Sequence, residues 1–157
     1  MLGNAGDLLR EHVEMALAGS NGNYASVFEA VAGTTAGEAM WKPDDAANGI
    51  WDITQHLILS KRWMIDMLEK GQAEPVVWEA QRGSDEEWQE TIQLLRKTHE
   101  ALVEALADVS DETLMSRPVP ETGHTLFSLI LAAGTEHDAY HSGQIMYLRK
   151  LQEKSWG

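Results

Sequence analysis

Apolar residues recur at spacings of three and four along most of this chain, and no stretch alternates apolar with polar as a half-buried strand would. That period constrains the fold more than any other feature: amphipathic helices packed on one another, with no sheet. The first helix is expected to open near Asp7, with Leu8, Leu9, Val13, Ala16 and Leu17 on its apolar side. The helix breakers Gly19, Ser20, Asn21, Gly22 and Asn23 interrupt it. A second short piece turns Tyr24, Val27, Phe28 and Val31 inward. In the loop from Gly33 to Asn48, Pro43 disfavours helix for the residue before it.

Asn48 reads as the N-cap of the second main helix, over residues 48–70, and Gly71 as its end. Its inward residues are Trp51 (or Ile50), Ile53, Leu57, Met64 and Leu68, with His56 beside them. Ser84 and Glu87 fit a capping box at the head of the third helix, over 85–107. Its stripe is Trp88, Ile92, Leu95, His99, Leu102 and Leu106. A polar loop with Pro118 and Pro120 follows, and Thr122 or Thr125 starts the fourth helix. That helix runs to about residue 152 and ends among Arg149, Lys150 and Lys154, where cations oppose the negative end of the macrodipole.

Four long amphipathic helices in 157 residues predict one all-α domain spanning 1–157, a four-helix bundle. The connection between helices two and three, 71–84, is long and carries Pro75. A helix of about 22 residues is about 33 Å long, and 13 extended residues reach roughly 43–47 Å. The connection can therefore run back along the bundle as a crossover, leaving helices two and three parallel in an up-down-down-up order.

With 25 acidic against 12 basic residues the formal net charge is −13. Nucleic-acid binding relies on Lys and Arg neutralising phosphates, and anionic membrane surfaces attract the same side chains, so neither partner is expected. There is no cysteine, which excludes disulfides, thiolate catalysis and cysteine-based zinc sites. The N-terminus has neither a basic nor an apolar leader-like region, and no run approaches a membrane span. The default expectation is a cytoplasmic protein.

The chemistry concentrates on the fourth helix. His137 and His141 are one turn apart, and Ile130, Ala133, His137, His141, Gln144 and Leu148 form a single stripe at spacings of three and four. Side chains at i and i+4 lie on one face about 5–6 Å apart, close enough to bind one metal ion at bond lengths of about 2.0–2.1 Å. The alternative is one hydrogen-bonded core histidine beside a solvated one. Two unpartnered imidazoles in a core are unfavourable, which argues for a third ligand. Two candidates exist, His56 on helix two and His99 on helix three, and spacing does not separate them. A three-histidine site leaves positions open for water or substrate. His12 and His124, near helix ends or flanks, read as structural or solvated.

The remaining candidates have plain structural explanations. Trp51, Trp63 and Tyr140 either line a pocket or pack. Asp52, one turn before His56, either orients it or is an exposed acid. His137-Asp138 departs from the metalloprotease H-E-x-x-H pattern, since Asp is shorter than Glu. No G-x-S-x-G, P-loop or G-x-G-x-x-G occurs, so serine hydrolase, NTPase and dinucleotide chemistry have no support.

Three stretches carry a family resemblance: Asn48-Gly49-Ile50-Trp51-Asp52-Ile53-Thr54-Gln55-His56-Leu57, Gly123-His124-Thr125-Leu126, and His137-Asp138-Ala139-Tyr140-His141-Ser142-Gly143-Gln144 continuing to Lys150. The first is similar to an S-x-W-x-x-x-x-H segment, and the last to an H-x-x-Y-H-x-G-Q signature. The chain thus resembles the DinB-like superfamily, including its YfiT-like members assigned as metal-dependent hydrolases. The resemblance implies an up-down-down-up four-helix bundle, often a homodimer. It also implies a divalent metal, nickel or zinc, on the triad His56, His137 and His141, with His99 set aside. Two departures stand out: Asn48-Gly49 replaces a serine-centred start of helix two, and 19–23 is Asn- and Gly-rich where some relatives carry histidine.

The expectation is then a metal-dependent enzyme acting on a small molecule, with the ion activating water or a low-molecular-weight thiol to attack an electrophile. The reaction would be that of a hydrolase or a thiol S-transferase. Asp52, Tyr140, Gln144 and Trp51 are the candidate supporting or pocket residues. The alternative is a non-catalytic metal-binding or ligand-sensing bundle.

Overall fold

In a computed structural model of the chain, residues 4–19, 22–73, 83–119 and 122–155 are described. Among them the structure is all-α. No strand forms, and an isolated antiparallel bridge joins Pro118 to Thr125. No helix there is long and apolar enough to cross a membrane. The connection expected over 71–84 falls for the most part on residues 74–82, which lie outside the described residues.

Local capping chemistry accounts for where the helices start. Helix α1, Ala5–Leu17, is capped by Asn4, whose Oδ1 accepts from the Asp7 amide at 2.7 Å. Helices α2, Val27–Val31, and α3, Ala36–Met40, each open with a reciprocal capping box, Ser26 with Glu29 and Thr35 with Glu38. Such boxes satisfy two orphan amide groups at once. Helix α3 lies in the stretch expected to be a loop, and its Thr35-x-x-Glu38 pattern was the overlooked signal.

Helix α4, Ile50–Lys70, is capped at Gly49 rather than Asn48. A Cβ at position 49 would stand 2.9 Å from the Ala39 carbonyl oxygen and 3.0 Å from that of Trp41, so only glycine fits. The cap is supplied from inside the helix: the Asp52 carboxylate accepts from the Gly49 amide at 3.0 Å and pairs with Lys42 at 2.8 Å. Gly71, at φ 73°, ends the helix in the left-handed region that favours glycine.

Helix α5, Asp85–Ala107, opens with the expected Ser84–Glu87 box. Helix α6, Asp111–Ser116, occupies the expected polar loop and is capped by Ser110. Its Asp111 carboxylate accepts from the amides of Ala5 and Gly6 at 3.0 and 2.9 Å, tying down the start of α1. Thr125 caps α7, Leu126–Leu131. A π-helical turn, Ala132–Glu136, then leads into α8, His137–Ser155.

The π-helical turn corrects the stripe expected on the last helix. Ile130 and Leu148 are buried as expected and Thr135 is buried as well, but between Ile130 and Leu148 the stripe is displaced to Gly134, Asp138, Ser142 and Ile145. Each of these four positions lies one residue beyond the expected Ala133, His137, His141 and Gln144. A π turn inserts one residue into the helical count, which shifts these four positions by one. The two histidines therefore stand at the edge of the buried face, half-buried, instead of at its centre.

Helix α4 packs most extensively on α5, α1 lies against α5 and the π turn, and α8 crosses α2 and, over a shorter stretch, α4. The apolar core has two parts. One gathers around Trp51 and Trp88, whose rings are 5.2 Å apart, with Ile58, Leu95 and Ile145. The other holds Val13, Met64, Leu102 and Ile130. Between Ile58 and Met64 on α4 sits Lys61, between Leu95 and Leu102 on α5 sits His99, and between Ile130 and Ile145 sits Asp138. All three are buried, so a polar layer divides the core.

Candidate metal centre

His56 from the first half of α4 meets His137 and His141 from the first two turns of α8. The Nε2 atoms of His56 and His137 are 2.9 Å apart, and those of His137 and His141 are 3.0 Å apart. The three rings stand edge to face, with centroids 4.3 to 4.9 Å apart. All three offer a ligand nitrogen within 4.8 Å of one another, so the group could hold a metal ion. Donors bound to a tetrahedral ion at about 2.0–2.1 Å stand about 3.3 Å apart. The His56–His137 and His137–His141 spacings need to open by only a few tenths of an ångström.

Burial sets the protonation states. His137 is pushed down to about 4, first by burial and then by the neighbouring His141, His56 and the Lys61 ammonium. His141 is also lowered, mainly by burial and further by His56, with its bond to Gln144 acting in the opposite direction. Both are therefore neutral at pH 7, as metal ligation requires.

The orientation of His141 is fixed on its far side. Its Nδ1–H donates to Gln144 Oε1 at 2.6 Å, and Gln144 Nε2 donates to the Tyr140 hydroxyl at 2.9 Å. With the proton on Nδ1, the Nε2 lone pair of His141 points into the cluster. The Tyr140 ring lies 5.1 Å from the His141 ring and is 62% exposed, so it flanks the open edge. His137 Nδ1, in contrast, is buried with no hydrogen-bond partner among the described residues. His56 is exposed, so the cluster opens to solvent on the α4 side.

The other sequence candidates fall elsewhere. His99 is buried on α5, outside the cluster. His12 is exposed and its Nδ1 lies 2.8 Å from the Leu8 carbonyl oxygen; His124 is also exposed. Trp51 is fully buried against Trp88, in the core and not at a pocket wall. Trp63 is half-buried and packs against the second core cluster. Asp52 caps its own helix and pairs with Lys42, a role that the reading of it as an orienting acid did not anticipate.

Next to the site lie Lys61, which sequence reasoning missed, and Asp138, which it weighed only against the metalloprotease pattern. Lys61 Nζ meets Asp138 Oδ2 at 2.5 Å, with side chains 0% and 1% exposed. Burial pushes the Asp138 carboxyl up, opposed by Lys61. The signal for Lys61 was present, since Leu57, Lys61, Met64 and Leu68 follow one another at spacings of four, three and four. Asp138 carried no such signal, because only the π turn brings it inward.

An all-α protein with three convergent imidazoles at the edge of its core belongs with helical proteins able to hold a metal between their helices. The chain is a member of the DinB superfamily, whose family model matches residues 22–145. No curated protein and no solved structure matches it.

Proposed function

We propose that this protein is a metal-dependent enzyme acting on a small molecule, a hydrolase or a thiol-dependent transferase, with a nickel or zinc ion on His56, His137 and His141. The observation that carries the reading is the convergence of three Nε2 atoms at a half-open edge, two of them on neutral, partly desolvated imidazoles. When bound, a divalent ion supplies Lewis acidity that lowers the pKa of a water or thiol brought beside it. The chain's own residues prepare the place. Gln144 and Tyr140 hold the lone pair of His141 inward, and the exposed side of His56 leaves room for a substrate to approach. The absence of cysteine means that any thiol is supplied from solution, as a low-molecular-weight donor.

The wider arrangement belongs to the same proposal. Helices α1, α4, α5 and the α7–α8 unit form an up-down-down-up four-helix bundle within one domain, and two copies associate as a homodimer. A second reading, a metal-binding or ligand-sensing protein without catalysis, is favoured by one observation: Asp138, the acid beside His137, is buried on Lys61 and does not stand at the open edge as a base.

The test is elemental analysis of purified protein, followed by hydrolysis and thiol-transfer screens of protein loaded with zinc or nickel. Turnover that chelation abolishes and the metal restores supports the enzyme. A metal-loaded protein silent in both screens supports the binding reading. A protein that takes up no ion refutes the enzyme and the metal-binding form of the second reading.

A further inference from the structure

The Lys61–Asp138 pair poses a physical question that the metal site alone does not answer. Both side chains are withdrawn from water, and Asp138 Oδ1 has no hydrogen-bond partner among the described residues. An isolated buried ion pair is a poor source of stability, since removing two charges from water offsets much of their attraction, and apolar residues of similar size often serve the core as well or better. Its distinctive property is directional: it satisfies only one placement of the two helices. The pair also joins the two helices that carry the histidines. Lys61 lies five residues beyond His56 on α4, and Asp138 directly follows His137 on α8. Those helices touch over a short stretch, whereas α4 is packed most extensively on α5.

We propose that the Lys61–Asp138 ion pair is a positioning device for the histidine cluster, holding the rotation and axial register of α8 on α4 so that His56 and His137 can reach one ion. Neither residue touches the ion. A slide of α8 by one residue, about 1.5 Å, would separate the ammonium from the carboxylate and His137 from His56 together. The π turn makes the device necessary as well as possible. It brings Asp138 inward, and it places His137 at the edge of the core, where apolar packing alone defines the position of a side chain less tightly. The pairing also makes the layer neutral overall; an unpaired Lys61 ammonium there would repel a cation in the neighbouring cluster.

This inference rests on the metal reading, and the experiment separates the two. Wild type, Lys61→Met/Asp138→Leu and Asp138→Asn are compared by denaturant unfolding without metal. Cobalt(II) affinity is then measured by competition with a chromophoric chelator, and the visible absorption of the cobalt-loaded protein is recorded. The double variant is expected to be at least as stable as wild type while its affinity falls about 10–100-fold and its cobalt absorption changes in position and intensity. Asp138→Asn, which keeps the shape of the side chain but leaves the buried Lys61 ammonium without its counter-charge, is expected to lose at least as much affinity and to show the same spectral change. Wild-type affinity and an unchanged spectrum in either folded variant overturn the proposal, as does an affinity that falls only in step with stability. If wild type itself binds no cobalt, the metal reading fails, and this proposal fails with it.

Discussion

His141 donates its Nδ1–H to Gln144 one turn further along α8, at 2.6 Å, and Gln144 is in turn oriented by the Tyr140 hydroxyl at 2.9 Å. This contact decides which nitrogen of His141 faces the cluster. Gln144→Ala removes the acceptor and frees the ring to adopt the other tautomer or to rotate. Metal affinity is expected to fall about 10–100-fold, while the unfolding free energy of metal-free protein moves by no more than about 0.5 kcal/mol, since Gln144 is half-buried. Competition titration and denaturant unfolding check the two halves separately.

The cluster and the isolated core histidine are expected to behave in opposite ways. Purified protein should carry close to one divalent ion per chain, and His137→Ala should lose most of it. His99→Ala should keep it, because His99 lies outside the group. Elemental analysis decides, and full occupancy in His137→Ala would overturn the assignment.

Acid should destabilise the metal-free protein through His99. Burial, followed by the charges of Lys61 and Arg96, pushes its pKa from 6.5 down to about 4. Between those values the unfolded chain binds a proton that the folded chain does not, so stability falls as the pH drops from about 6.5 to about 4 and this contribution is constant below that. At 1.36 kcal/mol per unit, the contribution of His99 is at most about 3 kcal/mol. Unfolding titrations across this range should show the slope, and His99→Gln should reduce it, leaving the part that the likewise lowered His137 and His141 contribute. An unchanged slope in that variant would refute the attribution.

Gly134, in the π turn, lies against α1, and a Cβ there would stand 3.1 Å from Val13 Cγ2. Val13 is fully buried and has little room to yield. Gly134→Ala should therefore destabilise by about 1–3 kcal/mol, and Gly134→Ala with Val13→Ala should recover part of the loss. A neutral single variant would show that the two segments separate without cost.

The caps show why some of the fold was legible. The Ser84–Glu87 box and Gly71 mark the ends of α5 and α4 because a cap is local chemistry, satisfied within a few residues of itself. The same logic, applied to Thr35 and Glu38, would have found α3. The cap of α4 was misplaced because the choice between Asn48 and Gly49 depends on the carbonyls of Ala39 and Trp41, which reach the site only after the chain has folded back.

Residue order alone determined that the chain is helical, where most of the long helices lie, and that His137 and His141 share a helix face, because each of these follows from a 3.6-residue period and neighbours within a turn or two. Tertiary structure decided the rest. It brought His56 and not His99 to the pair, as the family resemblance implies, inserted the π turn that moves the histidines from the centre to the edge of the buried face, and brought Lys61 and Asp138 together. Those outcomes depend on which helices meet and at what rotation. That is a property of packing between segments some 80 residues apart, with a sequence separation of 81 for His56 and His137 and of 77 for Lys61 and Asp138.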